Sequence, residues 1–186
     1  MQEWYFNPIM FSIGPVEAHW YGFMYALSFL LGYLWLFYSR KGKQLDNRFK
    51  DPLIIYVILG IVLGGRIGYV LFPPPPYFLA NPLKIIAVWE GGMSFHGGLL
   101  GTAAALALFA RKYKVKFWIL GDIVTSFAPV GLFFAKIGNF INSELYGRIA
   151  QNFCLHFPSD PANCRYPSQL LEAFLEGIVL FWVIYF

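Results

Sequence analysis

Five long apolar stretches constrain this 186-residue sequence more than any other feature. A helix needs about 20 mostly apolar residues to cross the hydrocarbon core of a bilayer. The stretches of this kind are residues 20–38, 52–72, 93–110, 117–135 and 169–186. Only 13% of the residues are charged and the mean hydropathy is +0.55, so this composition cannot form an ordinary water-soluble surface. The sequence predicts an all-α, polytopic helical integral membrane protein with five spans, in one transmembrane domain over residues 1–186.

Basic residues predict the orientation of these spans. Nine of the 14 lysines and arginines lie in two loops, 39–51 and 111–116, which follow the first and third spans and therefore share one side. Loops rich in Lys and Arg stay cytoplasmic, so we expect the N-terminus and residues 73–92 and 138–168 to lie outside. The first stretch has no basic segment before it, and we expect it to be a span rather than a cleaved signal peptide.

Ionisable side chains within or beside the spans are concentrated near their outer ends. They are Arg66, His96, Lys136, Glu144, Arg148, Glu172 and Glu176. Asp122, by contrast, lies near the cytoplasmic end. A charged group at membrane depth is costly and usually functional. We therefore expect these side chains, drawn from separate helices, to form one polar pocket at the depth of the outer lipid headgroups.

Glycines recur at every fourth position in the second and third spans. They are Gly60, Gly64, Gly68, Gly97 and Gly101. Small residues at this interval let membrane helices pack backbone to backbone, so packing is the simplest explanation of these glycines. Arg66 lies two residues after Gly64, which places it on a different face of the second span.

Several candidate residues also have plainer explanations that the sequence leaves open. A lone histidine in an apolar stretch is more often structural, although His96, next to two glycines, is also a candidate base because histidines exchange protons near neutral pH. Tyr21 fits an aromatic belt and Asn139 fits a turn. Glu144 and Arg148, four residues apart, fit an ion pair on a helix surface.

Two cysteines, Cys154 and Cys164, share the predicted outer loop. A disulfide fits an oxidising compartment, and two free thiols fit a reducing one, so both remain open. Neither cysteine is expected to be catalytic. The sequence has no metal-ligand cluster, Walker loop or Gly-x-Ser-x-Gly elbow, so no metal site is predicted.

Four blocks of sequence together resemble the prolipoprotein diacylglyceryl transferase family of bacterial inner membranes. The blocks lie in residues 11–22, 64–98, 138–148 and 166–177, so they extend along nearly the whole chain. Their most specific parts are His96-Gly97-Gly98 and the run from Gly138 to Asn142. The resemblance implies a multi-pass inner-membrane enzyme with no cofactor and no nucleic-acid partner, whose active site faces the periplasmic or outer leaflet.

The family's reaction moves the diacylglyceryl group of phosphatidylglycerol to the lipobox cysteine thiol of a preprolipoprotein signal peptide. It forms a thioether and releases glycerol phosphate, and both substrates lie among membrane lipids. By this resemblance His96, Tyr21, Asn139 and Glu144 are the expected catalytic residues. Lys136, Arg148, Gly147 and Arg66 are expected to bind substrate.

Two departures from the family pattern are visible in the sequence. The family usually has arginine where this chain has Lys136, and a lysine keeps the charge but loses the bidentate fork. The family also continues through two more helices, which carry a further arginine and glutamate. We therefore expect residues 1–186 to be a C-terminally incomplete transferase domain.

Two other functions fit parts of the pattern. A small transporter or channel with a polar outer vestibule needs polar residues that continue past the bilayer midplane, and only Asp122, Thr125 and Ser126 suggest such a path. A non-catalytic membrane scaffold needs only the glycine contacts. The scaffold predicts that replacing His96 has no effect.

Overall fold

The computed structural model describes residues 6–14, 16–71, 76–88 and 91–186, and most of these residues are helical. The chain divides into two compact units. The first unit consists of Met1–Trp35 together with Thr125–Phe186, and the second unit consists of Leu36–Val124.

The first unit begins with a small antiparallel hairpin. Strand β1 (Ile9–Ile13) pairs with β2 (Val16–His19), and Ile9 lies opposite His19. Helix α1 (Trp20–Tyr38) follows β2 directly. The hairpin therefore places the start of α1, and with it Tyr21, next to a pair of hydrogen-bonded strands.

A long helical run over Ser168–Tyr185 closes the first unit and packs against the C-terminal part of helix α6 (Phe117–Ile141). The helical segments concerned are α6 (Phe117–Ile141), α7 (Ser168–Glu172), a π-helical segment (Ala173–Val179) and α8 (Leu180–Tyr185). A Cβ on Gly177 would lie 2.6 Å from the Cβ of Phe133, so only glycine allows this approach. π-Helical turns are rare in proteins, and those that occur are often found at functional sites.

The loop between α6 and α7 is a small folded element with a disulfide. Strands β3 (Leu155–Phe157) and β4 (Asp160–Arg165) pair antiparallel. A disulfide between Cys154 and Cys164 joins them at the end of the hairpin away from the turn, with a Cα–Cα distance of 5.3 Å. The bonded state resolves the alternative that the sequence leaves open. Phe157 is fully buried and forms the centre of this loop.

Asp160 holds the same loop together through two hydrogen-bond donors. The Asn163 amide donates to one carboxylate oxygen over 2.9 Å, and the Arg165 guanidinium donates to the other over 2.7 Å. These two donors lower the pKa of Asp160 because they stabilise the carboxylate. The Arg165 guanidinium also lies over the Tyr146 ring, which stacks on Phe157.

The second unit is built on two helices whose backbones touch. They are α2 (Asn47–Leu71) and α5 (Phe95–Tyr113), joined by the short helices α3 (Pro76–Ala80) and α4 (Leu83–Ile86). A Cβ on Gly64 would lie 2.7 Å from the Cα of Gly101, and one on Gly68 would lie 2.8 Å from the Cα of Gly97. The predicted close packing of the second and third spans through glycines is therefore confirmed.

Seven buried apolar side chains form the hydrophobic core of the second unit. They are Leu36, Leu45, Leu53, Leu106, Phe109, Leu120 and Ile123. Lys50 is also buried, and its ammonium lies 4.9 Å from the centre of the Phe37 ring. Aromatic faces attract ammonium groups, which offsets part of the cost of this burial.

Four helices in the described part of the chain are long and apolar enough to cross a membrane. They are Trp20–Tyr38, Asn47–Leu71, Phe117–Ile141 and the run Ser168–Tyr185. The prediction of a mainly helical membrane protein is therefore confirmed, with two small hairpins that the apolar pattern did not predict. Helix α5 occupies the predicted third span but carries glycines and ends in basic residues, and it is not among the four.

Two helices extend beyond the predicted apolar boundaries. Helix α2 begins at Asn47 rather than at residue 52, because the Asp46 carboxylate accepts a hydrogen bond from the Arg48 backbone N–H over 3.0 Å and caps the helix. Helix α6 continues to Ile141 rather than ending at residue 135. The extension carries Lys136 and Asn139 on regular helix.

Candidate active site

Tyr21, Asn139 and Glu144 come together in the first unit. The Asn139 amide donates a hydrogen bond to the Glu144 carboxylate over 2.8 Å. The Tyr21 hydroxyl shares a 3.0 Å hydrogen bond with the Tyr25 hydroxyl one turn along α1, and it also interacts with Asn139 and Glu144. The structure thus places three of the four predicted catalytic residues in one polar cluster, with Tyr25 as a fourth member.

Gly138 brings α6 onto α1 at this cluster. A Cβ on Gly138 would lie 2.9 Å from the Tyr21 ring, so a side chain here would push the tyrosine away. Asn139 is the next residue and is 6% exposed. Small size at position 138 is therefore what lets the amide of Asn139 approach the tyrosine pair.

The chain turns sharply after α6 and directs Glu144 back toward Asn139. Ser143 and Leu145 both have left-handed backbone conformations, with φ of 56° and 54°. The buried Gln169 amide donates to the Glu144 carbonyl over 2.8 Å and fixes the turn. A non-glycine residue in this conformation costs free energy, and such residues are frequent at active sites.

The alternative of a helix-surface ion pair between Glu144 and Arg148 is wrong. Residues 142–148 are not helical, so a spacing of four does not place these side chains side by side. Glu144 bonds to Asn139 instead. The Arg148 side chain is exposed and donates no hydrogen bond to any residue that the structure describes.

Lys136 lies one turn before Asn139 on α6 and pairs with two carboxylates. Its ammonium donates to the Glu172 carboxylate and lies 3.7 Å from a carboxylate oxygen of Glu176. Glu172 ends α7 and Glu176 lies in the π-helical segment. The sequence contained a signal for these partners, since two glutamates four residues apart begin the last apolar stretch.

Gly147 lies where the loop pairs with the segment that enters α7. Its N–H donates to the Tyr166 carbonyl over 2.9 Å, and a Cβ here would lie 3.0 Å from that same oxygen. Arg148 accepts at its carbonyl from the Tyr166 N–H. The structure therefore gives Gly147 a packing role, and its predicted contact with substrate stays a prediction.

His96 belongs to the second unit, at the start of α5. Ser94 caps this helix, because its hydroxyl accepts a hydrogen bond from the Gly97 N–H over 3.1 Å. The His96 side chain is exposed and borders the Phe95 ring. The predicted meeting of His96 with the residues of the first unit stays a prediction.

Arg66 also belongs to the second unit, and its guanidinium is buried against main-chain carbonyls. It donates hydrogen bonds to the carbonyls of Lys84, Ile85, Gly91 and Gly92. The predicted contact of Arg66 with lipid phosphate stays a prediction. No group of three or more His, Cys, Asp or Glu residues that could hold a metal occurs among the residues with described positions.

Comparison with known proteins identifies the family. The prolipoprotein diacylglyceryl transferase family matches residues 8–186. Phosphatidylglycerol–prolipoprotein diacylglyceryl transferases of Rickettsia canadensis and Rickettsia felis are each 46% identical over 184 residues, which cover 96% of this chain and 70% of the relative. The enzyme of that name from Brucella anthropi is 44% identical over 191 residues, covering 96% of this chain and 67% of its own. A match of this extent over the chain and the site residues means that this chain belongs to the prolipoprotein diacylglyceryl transferase family.

Proposed function

We propose that this protein transfers the diacylglyceryl group of phosphatidylglycerol to the cysteine thiol of a prolipoprotein signal peptide. The observation that carries this proposal is the family match over residues 8–186, which includes every candidate site residue. The thiol loses its proton, the sulfur forms a bond to the glyceryl carbon, and the bond from that carbon to the phosphate oxygen breaks. Glycerol phosphate leaves with the electron pair. The comparisons do not favour the transporter alternative.

The residues supply the groups that this reaction needs. The thiolate is the competent nucleophile, so a base increases its concentration, and we assign this role to His96. Charge develops on the departing phosphate, and fixed donors aimed at that charge stabilise the transition state. We assign the hydrogen-bond donors to Tyr21 and Asn139, and the orientation of Asn139 to Glu144.

Two cations of the first unit are candidates for the phosphate. Lys136 is held by Glu172 and Glu176, which fixes its ammonium in one place. Arg148 is exposed and unpaired within the described residues, so its guanidinium is available to an anionic headgroup. An arginine can bind phosphate through two parallel hydrogen bonds, whereas a lysine contributes a point charge.

We further propose five spans, with the N-terminus and the active site on the periplasmic side of the inner membrane. Helix α5 has 19 residues and ends in Arg111 and Lys112, which supports a fifth span with a cytoplasmic C-terminal end. The disulfide between Cys154 and Cys164 supports an oxidising compartment for the loop between α6 and α7. Glu144, Gly147 and Arg148 lie in this loop.

The test is a transferase assay in membranes that contain the protein. A lipobox peptide and phosphatidylglycerol should yield the thioether-linked product, and His96→Ala should lower the rate by about a hundredfold or more, a size that removal of a general base commonly has. His156→Ala is the matched control, because His156 lies in the hairpin between α6 and α7 and forms a hydrogen bond with the Pro161 carbonyl of that same hairpin. Near-normal turnover of His96→Ala would remove His96 from catalysis.

A second arm keeps the proposal falsifiable if the 186-residue chain gives no product. The chain is joined to the part of the Rickettsia canadensis relative that follows the matched region, and the assay is repeated. Activity in this fusion, lost again with His96→Ala, supports the assignment. No product from either protein, with the intact relative active in the same assay, would contradict the proposed function.

A further inference from the structure

We propose that Arg66 is a positioning residue that fixes the segment leading into α5 and so places His96. The catalytic meaning of this inference rests on the proposed function, whereas its structural part does not. It replaces the expectation that Arg66 contacts a lipid phosphate. The inference comes from where the guanidinium donates its hydrogen bonds.

The Arg66 guanidinium gathers four carbonyls from one short segment. Its Nε donates to Ile85 over 2.9 Å, and one terminal nitrogen donates to Gly91 over 2.6 Å and to Gly92 over 3.0 Å. The other terminal nitrogen donates to the carbonyl of Lys84. The guanidinium has five N–H donors in a rigid fork, and four of these donors already make hydrogen bonds within the protein.

The side chain is also shielded from solvent. Arg66 is 6% exposed, and its guanidinium lies 5.6 Å from the centre of the Tyr69 ring. A phosphate that bound the fork through two parallel hydrogen bonds would have to displace at least one of these carbonyls, which would then lose its donor. Buried polar groups left without a partner are costly, so the observed arrangement opposes a phosphate contact.

Two consecutive glycines make the carbonyl arrangement feasible. Gly91 and Gly92 have φ of +81° and +79°, which other residues adopt only with strain. A side chain on Gly92 would in addition overlap the Tyr69 ring, whereas Gly91 has open space around it. The glycine pair therefore turns two successive carbonyls toward one nitrogen of Arg66.

The same segment leads directly to the N-terminus of α5. The Ser94 N–H donates to the Gly65 carbonyl over 2.9 Å, so the residue before α5 is tied to the residue before Arg66. The Ser94 hydroxyl then caps α5 through the Gly97 N–H. His96 lies between these two residues, and its backbone position is therefore set by contacts that Arg66 and its neighbour make.

The first test is protease accessibility, which does not depend on transferase activity. Trypsin cleaves after Lys84, whose carbonyl Arg66 holds. In detergent, Arg66→Lys and Arg66→Gln should both be cleaved there about tenfold faster than the wild type, since a lysine cannot reproduce the fork. Arg111→Lys, at the exposed end of α5, is the matched control and should leave the rate unchanged.

The second test separates positioning from phosphate binding by kinetics. Both Arg66 variants should lower kcat by about tenfold or more while KM for phosphatidylglycerol changes by less than about threefold, because the lost interaction is not with substrate. Gly91→Ala should have the same two effects through backbone strain alone, and it keeps the test informative if the Arg66 variants do not fold. If Arg66→Gln raised KM for phosphatidylglycerol and Arg66→Lys returned it to the wild-type value, the charge would be needed for a phosphate contact. That result would overturn the inference. Unchanged cleavage after Lys84 in every variant would overturn it as well.

Discussion

At the scale of single residues, Lys136 is a candidate phosphate ligand that already pairs with two carboxylates. Its ammonium is bound by Glu172 and lies near Glu176, so the charge is fixed on the α7 side of α6. A fixed cation is useful for an anionic headgroup only if one of its N–H groups remains available. A lysine has three donors in total, which leaves room for a phosphate oxygen.

Replacing Lys136 tests whether it contacts the phosphate. Lys136→Arg adds a second parallel donor, so KM for phosphatidylglycerol should fall by roughly threefold to tenfold in the peptide assay. Lys136→Gln should lower kcat/KM by about a hundredfold, because the charge is lost and Glu172 loses its partner. An unchanged lipid affinity and rate for Lys136→Arg would contradict the phosphate contact.

Asp160 makes the stability of the loop between α6 and α7 depend on pH. Its pKa is lowered in the folded protein by the Asn163 amide and the Arg165 guanidinium, so the carboxylate stabilises the loop above the usual carboxyl pKa of about 4. This stabilisation is lost as the pH falls through the lowered pKa. Asp160→Asn should therefore accelerate amide hydrogen exchange in β3 and β4 at pH 7 and have little effect at very low pH.

The control for this experiment is Asp46→Asn. Asp46 caps α2 in the second unit and should leave exchange in β3 and β4 unchanged. A difference between the wild type and Asp160→Asn that stays constant at all pH values would contradict the role of the carboxylate charge.

Residue types at the site could be predicted from the sequence, but not their partners. The family motifs identified Tyr21, Asn139 and Glu144, and the structure brings them together. The Glu144–Arg148 ion pair failed because it assumed a helix where the chain turns through two left-handed residues. The carbonyls around Arg66 come from residues up to 26 positions away, and no local pattern indicates them.

At the scale of elements, the contact between α2 and α5 depends on the absence of side chains. Gly101→Ala should destabilise the protein by about 1–3 kcal/mol or more. The new methyl group would overlap the backbone of Gly60 and Gly64, and a backbone cannot move aside as a flexible side chain can. Unfolding in detergent, followed by circular dichroism, measures the change. This loss of stability is expected whether or not the substitution also changes transferase activity.

Gly98→Ala is the matched control on the same helix. A Cβ on Gly98 would come no closer than 3.6 Å to the Ile61 carbonyl oxygen, which is an ordinary contact. Alanine is also a better helix former than glycine, so the stability should stay the same or rise by up to about 1 kcal/mol. Equal destabilisation by the two substitutions would show that the close backbone contact is not what matters.

Helix positions were predictable because apolar length is a strong signal, but the beginning of α2 and the end of α6 were not. Apolar runs located α1 and the start of α6 to the residue, and they located the end of α2 to within one residue. The polar first turn of α2 and the last six residues of α6, which include Lys136 and Asn139, belong to the helices because caps and packing, rather than hydropathy, determine where helices begin and end. The short strands were missed because segments of three to six residues outside the apolar runs carry little pattern.

At the scale of the whole molecule, the disulfide is a reporter of topology. If the loop between α6 and α7 faces the periplasm, a membrane-impermeant maleimide added to intact cells should label Cys154 and Cys164 only after reduction. The chain has no other cysteine, so the signal is specific. Labelling without reductant would contradict the bond, and labelling that needs permeabilised inner membranes would contradict the orientation.

The same bond should contribute to stability. Closing a loop of this size stabilises a protein by about 2–3 kcal/mol in the chain-entropy account. The double substitution of Cys154 and Cys164 by serine should therefore lower the free energy of unfolding and speed exchange in β3 and β4. Reduction of the wild type should reproduce both effects, whereas it should not change the double variant.

The backbone contact between α2 and α5 limits how this helix pair can diverge in evolution. Most helix pairs absorb a mutation by moving a neighbouring side chain, but here a peptide group faces a Cα directly, and nothing between them can move. The opposite side of α2 has no such limit, since Leu59 and Leu63 are 49% and 57% exposed. Homologues that keep this pairing should therefore vary freely among apolar residues on the lipid side and keep the same few glycines on the inner side.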